Sequence, residues 1–386
     1  MSSKEINIIG GGCAAFSLAR FNNLLPQYKF NLFLKDQHQP INDHYWGFWK
    51  FKENQEAYDN SYYSWNNWAI ITSNSKNILS SKKHPYCVIK RQKWLNFCLS
   101  KLQNKQVNLF NRKILEDNEE LFDGNYKLNG DYIFDSRPPK MPSNILLQHF
   151  EGYVVNSKDE IFDDKTVILM DFRCDQSKGM HFIYLLPFSK KTALVESTMF
   201  SKHLESNNFY DKAILKYLKK YYNLKSFTKS NHEKGIIPMH DVSLMSKKIF
   251  NIGTRGGAVR PSTGYAFTFI QKQVLQIKDQ LISGKKINTN IHSKIDLFLD
   301  KIFIRVIDKY PEIAPTIFSN LAKNINGDEM ARCATSHTRR RCRLIVGAAR
   351  GRCTVERLRA RRALAACAVC AGYPAVTGRK ETHLGM

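Results

Sequence analysis

The sequence predicts a mixed α/β fold, with a Rossmann-like dinucleotide-binding half joined to a second, mainly antiparallel sheet. Three observations predict it. A short apolar strand, Ile6–Ile9, runs directly into the turn Gly10-Gly11-Gly12-Cys13-Ala14-Ala15 and a helical stretch. Apolar segments bounded by turn residues cluster between 166 and 198. A second Gly-rich stretch, from Gly253 to Gly264, leads into another helical pattern. With 386 residues and 43% hydrophobic content, the chain can bury a large core.

The opening turn matches G-x-G-x-x-A. Glycines at those positions permit a tight turn and let backbone N–H groups approach a pyrophosphate at a helix N-terminus. A plain Gly-rich strand-to-helix turn is the competing reading. The helix is expected to reach about Asn22, and the next strand to cover Phe30–Leu34. An acidic residue should end that strand and meet a ribose hydroxyl. The spacing places Lys35 there, with Asp36 one step later. Residues 60–130 read as mixed strands and loops, with a helix over Lys93–Gln103, and Asp131–Asp135 reads as a further buried strand.

Thr166–Phe172, Phe182–Leu186 and Thr192–Thr198 read as neighbouring antiparallel strands of the second sheet. Asp211–Leu224 is a helix with one apolar face and many lysines. It is either an ordinary surface helix or one that lies on an anionic bilayer. Pro261-Ser262-Thr263-Gly264 should open a helix through Tyr265–Ile277, and Ile295–Ile307 repeats apolar residues at helical spacing. These elements divide the chain into a discontinuous dinucleotide-binding half (1–60 and 235–290), a second-sheet half (61–234), a helical region (291–332) and a tail (333–386).

The tail is set apart by composition. Before Arg332 the chain is rich in Lys, Asn, Ile and Phe; afterwards it turns to Arg, Ala, Cys and Gly and holds no Asn, Asp, Gln, Phe or Trp. The first set comes from AT-rich codons and the second from GC-rich ones, so this reads as a junction with foreign sequence, without packed structure. The rival reading is a basic tail for RNA or acidic lipid. Five of the nine cysteines fall there, and Cys367 and Cys370 have no matching second pair that would make a zinc site, so no metal is expected. Irregular cysteine spacing argues for reduced thiols.

The net charge of +25 invites an anionic partner, but no nucleic-acid-binding motif accompanies it. No run of 18 apolar residues predicts a transmembrane helix. The opening MSSKEINIIGGG lacks the pattern of a signal peptide. A cytoplasmic location is expected.

Several segments together resemble bacterial lycopene β-cyclases, the FAD-dependent lycopene cyclase family. They are His44-Tyr45-Trp46-Gly47-Phe48-Trp49, Asp135-Ser136-Arg137-Pro138, Leu169-Met170-Asp171-Phe172-Arg173-Cys174-Asp175-Gln176, Ala193-Leu194-Val195-Glu196-Ser197-Thr198 and Gly253 through Phe267. The resemblance spans about residues 5–332. The M-D-F-R-x-D-Q and G-G-x-V-R-P-S-T-G-Y segments are its most selective parts. Departures are Lys35, where an acid is usual, Tyr153, where a Trp follows the glycine of a G-W pair, and the replaced C-terminal segment.

The resemblance implies an isomerase of carotenoid biosynthesis, peripheral to the inner face of the cell membrane. It uses reduced FAD, with NAD(P)H as reductant, and causes no net redox change. Lycopene is its apolar substrate and the bilayer surface its partner. Each end needs a proton at C2, a bond between C1 and C6, and loss of a proton from C6. The acid must stay protonated near neutrality, which burial in an apolar wall achieves. Glu196, on a mostly apolar strand, fits that demand and the family's acidic position; the alternative is a structural Glu bonded to Arg or backbone.

Asp171, Arg173 and Asp175 are further catalytic candidates, with Gln176 beside them. A buried ion-pair network that shapes the pocket is the competing reading for this group. His44 is either a proton relay or a structural histidine. Trp46, Phe48, Tyr184 and Tyr265 are candidates for the π-faces that stabilise the carbocation, or for ordinary core packing. Gly10, Gly12, Ala15, Asp36, Gly253, Gly256, Pro261, Thr263 and Gly264 are the expected cofactor contacts. Rival functions are a flavin monooxygenase or desaturase acting on an apolar isoprenoid, and a non-catalytic carotenoid-binding protein.

Overall fold

The computed structural model describes residues 3–35, 43–103, 105–118, 120–241 and 249–335. Asp36 and residues 336–386, including Cys367 and Cys370, lie outside the described residues. Two principal sheets organise the chain. The first has five parallel strands in the order Phe250–Asn251, Tyr132–Asp135, Lys4–Ile9, Tyr28–Leu34 and Val107–Asn111. Its strands are apolar along their length because both faces are covered. Ile6, Ile8, Phe30, Leu32 and Phe134 are wholly buried, and the helices Cys13–Ala19, Arg91–Ser100 and Phe267–Ser283 contribute to the same core. Asn7, Asn31 and Asn108 stand side by side in register and hydrogen-bond across three strands at 2.9 and 2.8 Å. A one-residue slip would break this ladder.

The second sheet has seven strands, in the order Thr228–Pro238, Leu147–Asn156, Thr192–Ser201, Met180–Pro187, Thr166–Asp171, Asn67–Thr72 and Ser75–Ser80. The three segments expected to be antiparallel neighbours are so, while Thr166–Asp171 pairs in parallel with Asn67–Thr72. A small sheet of Tyr45–Trp49, Tyr86–Lys90 and Tyr63–Trp65 accompanies the two.

The strands Val107–Asn111 and Tyr132–Asp135 fall inside the stretch 61–234, yet they pair into the first sheet. The chain therefore crosses between the halves more often than a boundary at residue 60 allows. Periodicity cannot reveal this, since it reports a strand but not its partner.

The helix Asn207–Tyr222 buries Ile214, Tyr217 and Leu218 against the second sheet and leaves its lysines in solvent. Its apolar face is thus occupied by protein, as in the surface-helix reading. No helix among the described residues is long and apolar enough to cross a membrane.

The helix expected at Tyr265 begins at Phe267 and runs to Ser283; Pro261–Thr263 form a turn before it. Arg260 in that approach is completely buried, with its guanidinium 2.7 Å from Asp300 and 3.4 Å from Asp296, both on the helix Lys294–Lys309. Ser262 donates a hydrogen bond to Asp300 at 2.7 Å. The last described helix, Gly327–Thr335, passes through the compositional break. Cys333, Ala334 and Thr335 are buried, so the packed chain extends to Thr335 and does not stop at Arg332.

Replacing Arg260 by Met should remove the cation from between two buried carboxylates and cost about 3–5 kcal/mol. Urea unfolding of the variant against the parent protein measures this. A loss below about 1 kcal/mol would mean that the Lys294–Lys309 helix is held by its apolar face alone.

Candidate functional site

Where the two sheets meet, a cavity of about 1060 Å³ takes its walls from both. Part of its lining is built from glycine turns. Gly10 has φ of +105°, and a Cβ there would fall 2.5 Å from Ser136 Oγ. A Cβ on Gly12 would meet nothing within 4 Å, because this backbone faces the cavity's open space. No side chain caps the helix that begins at Cys13. Gly253 and Gly264, with φ of +64° and +68°, bring a second pair of backbone turns to the same cavity, together with Thr263. Lys35, Arg91, Arg112 and Arg137 also line it. A glycine cradle with cationic side chains suits a phosphate-bearing ligand.

Glu196 and Glu233 also line it, and the part around them is its acidic end. Strand register places Tyr184, Glu196, Gly152 and Glu233 in one row across four neighbouring strands. Residues directly opposite in a sheet project from the same face. Glu196 and Glu233 are therefore two strand spacings apart, about 10 Å between backbones, with only a glycine between them. A Cβ at position 152 would lie 2.6 Å from Glu196 Cγ and 2.5 Å from the Val195 carbonyl oxygen. The missing side chain is what lets the two carboxyls approach each other.

Both are withdrawn from water, Glu196 at 8% exposure and Glu233 at 2%. One Glu233 oxygen, Oε2, accepts a hydrogen bond from the Tyr45 N–H at 3.1 Å and lies 3.3 Å from His44 Nδ1. Burial pushes the Glu196 carboxyl well above the usual range, and the nearby charge of Glu233 pushes it further. Glu196 is thus held as a neutral acid.

Aromatic groups surround this end. The Tyr86 and Tyr184 hydroxyls are 2.8 Å apart, and burial raises both phenols and that of Tyr265 well above their ordinary range. Trp49 packs against Tyr86 and Tyr265 with ring centroids 4.9 and 5.0 Å away. Gly47 makes room for the tyrosines, since a Cβ there would sit 2.2 Å from the Tyr86 hydroxyl oxygen.

The structure thus gathers Glu196, Trp46, Tyr184 and Tyr265 on one cavity with Gly10, Gly12, Gly253, Thr263 and Gly264. Other candidates sit elsewhere. Phe48 is buried behind the wall, 5.0 Å from the ring of Phe267. Ala15 is inside the first core, Pro261 is buried off the cavity, and Gly256 packs against the Asn251 carbonyl, 2.1 Å from where a Cβ would be.

Asp171 and Arg173 lie toward the helix that covers the far side of the second sheet. Asp171 accepts from the Tyr217 hydroxyl at 2.7 Å and pairs with Arg173 at 2.6 Å, and Arg173 lies over the Tyr221 ring. Asp175 is exposed and accepts from the Ser177 N–H. None of the three lines the cavity. Asp171 and Arg173 fasten the helix to the sheet, while the Asp175 carboxylate contacts neither.

Sequence reasoning missed Glu233, Trp49 and Tyr86. Glu233 stands in the polar run Ser-Asn-His-Glu-Lys, which carries no local signal of burial. Trp49 could have been found, since it closes the aromatic segment that holds Trp46.

A sequence model of the family described as "Lycopene cyclase protein" matches residues 5–308. No sequence among the curated proteins matches the chain. Solved structures with the same fold include a geranylgeranyl bacteriochlorophyll reductase-like protein from Thermoplasma acidophilum, at 11% identity and a TM-score of 0.58, covering 89% of this chain and 95% of that one. A flavoprotein/dehydrogenase from Cytophaga hutchinsonii aligns at 11% identity and 0.57, over 89% and 93%. HpxO of Klebsiella pneumoniae, complexed with FAD, aligns at 10% and 0.55, over 89% and 98%. At these identities the likeness is one of fold.

Gly152→Ala should force a methyl group into the gap between the two glutamates. It is expected to cost about 1–3 kcal/mol of stability through overpacking, read by thermal or urea unfolding. A neutral result would mean that the row of strands spreads without strain.

Proposed function

The chain belongs to the lycopene cyclase protein family, and on that ground we propose that it is a lycopene β-cyclase, closing the ψ-ends of lycopene into β-rings. The observation that carries this reading is a neutral carboxylic acid, Glu196, on the wall of a large aromatic-lined cavity that also holds a glycine cradle. A hydrocarbon offers no polar handle, so its orientation must come from cavity shape. A carbon–carbon double bond is a weak base, so the donor must be a desolvated acid that keeps its proton near neutrality.

In this reading Glu196 delivers its proton to C2 of the ψ-end. The C1 cation closes on C6, and loss of the C6 proton completes the ring. One proton enters and one leaves, so substrate and product are isomers. The faces of Trp49, Tyr184 and Tyr265 lie beside the developing cation, and aromatic faces contribute about 0.5–2 kcal/mol each when desolvated. The Tyr184 and Tyr265 hydroxyls stay neutral there because burial opposes ionisation.

FAD is the proposed cofactor, reduced by NAD(P)H. The open backbone at Gly12 and the turns at Gly10, Gly253, Thr263 and Gly264 would hold it. When bound, a reduced flavin would supply negative charge that stabilises a carbocation. The substrate would be drawn from the bilayer on the cytoplasmic face. Ile236, 43% exposed on the cavity wall, offers an apolar lip there, and the surplus of lysine favours anionic headgroups.

Glu196→Gln should lower lycopene conversion by roughly 10²–10⁴-fold, measured by pigment chromatography with reduced FAD under anaerobic conditions. The parent enzyme should form product without consuming reductant in proportion. Because the protonated acid is the donor, its activity should fall as pH rises through the elevated Glu196 range and persist below it. Full activity in the variant would remove Glu196 from the chemistry, and reductant consumed mole for mole would favour a monooxygenase or desaturase.

A further inference from the structure

We propose that Glu233 is a positioning residue for Glu196, sharing its proton across Gly152 and linking it through His44 to water at the cavity mouth. The inference rests on the reading of Glu196 as the proton donor and goes beyond it.

Three features of the structure carry it. Register puts Glu233 and Glu196 on one face with only a glycine between their strands, and the Glu196 side chain occupies the space that a Cβ at position 152 would take. Glu233 is nearly inaccessible, and its Oε1 atom is buried with no hydrogen-bond partner among the described residues. Its Oε2 atom is committed to the Tyr45 N–H and His44. The orphaned oxygen is therefore the acceptor available for a proton held by Glu196. Burial first, and then the neighbouring Glu233, push the Glu196 carboxyl well above the usual carboxylate range.

His44 gives the pair its outlet. Its side chain is 29% exposed and lines the cavity, 3.3 Å from Glu233. Once Glu196 has given its proton to carbon, water supplies a new one through His44 to Glu233, which hands it on to Glu196. The proton released from C6 returns to solvent, so the cycle balances. Around the pair, Tyr45, Tyr86, Tyr184 and Tyr265 are held neutral by burial, while Lys234 lines the same cavity, Lys90 lies over the Tyr45 ring, and Asp43 and Tyr62 act on Tyr45. Gly152 contributes none.

The test compares the full-length parent protein with Glu233→Gln and His44→Gln. The first readout is the infrared carbonyl stretch of a buried protonated carboxylic acid, identified by its loss in Glu196→Gln and followed against pH without substrate. Glu233→Gln removes the like charge, so the band should ionise about one to three pH units lower than in the parent. In His44→Gln the band should exchange with D₂O more slowly. The second readout is lycopene turnover, whose alkaline limb should move down in Glu233→Gln by the same shift as the band.

An infrared titration identical in parent and Glu233→Gln would overturn the shared proton, whatever the turnover. Unchanged D₂O exchange in His44→Gln would overturn the outlet. A parent protein that shows the shifted titration but converts no lycopene would leave the pair standing and sink the cyclase reading instead.

Discussion

At position 152 the second sheet has no side chain, and the acidic end of the cavity depends on that gap. Neighbouring strands hold side chains at fixed spacing, so residues two strands apart do not ordinarily meet. Here Glu196 and Glu233 flank a glycine in register, and the Glu196 side chain already fills the space where a methyl group would go. Gly47 does the same for the tyrosines, since Tyr86 and Tyr184 crowd the place of its absent Cβ. Two missing side chains thus let carboxyls and phenols gather where an ordinary strand pair would keep them apart.

The electrostatics of the site follow from its dryness. Burial favours the neutral forms of Glu196 and of the three phenols. The glycine turns and cationic side chains line the same cavity, and Gly264 directly precedes Tyr265.

A cavity walled by both sheets requires them to be held in a fixed relation. Arg260, wholly enclosed, ties the approach to the Phe267–Ser283 helix to the Lys294–Lys309 helix through two aspartates. On the far side of the second sheet, Asp171, Arg173 and Tyr217 fasten the Asn207–Tyr222 helix. A motif that reads as catalytic by its density of charge is thus a clamp. Asp171 and Arg173 satisfy each other, and Asp175 faces solvent.

The sequence by itself determined the elements with local signatures. The strand–glycine–helix opening, the antiparallel run from Thr166 to Ser201 and the apolar setting of Glu196 were all legible, because turn chemistry and alternation are properties of adjacent residues. Tertiary structure alone decided partners and faces. Glu233 is surrounded in sequence by polar residues and becomes buried only because its strand pairs beside Gly152. Asp171 sits beside cavity-lining Leu169 and Met170 but is turned toward the helix. Tyr86 reaches the site from a small third sheet. Strand pairing joins residues far apart in the chain, and a side chain's environment depends on what covers its face; neither quantity is written in the neighbouring letters.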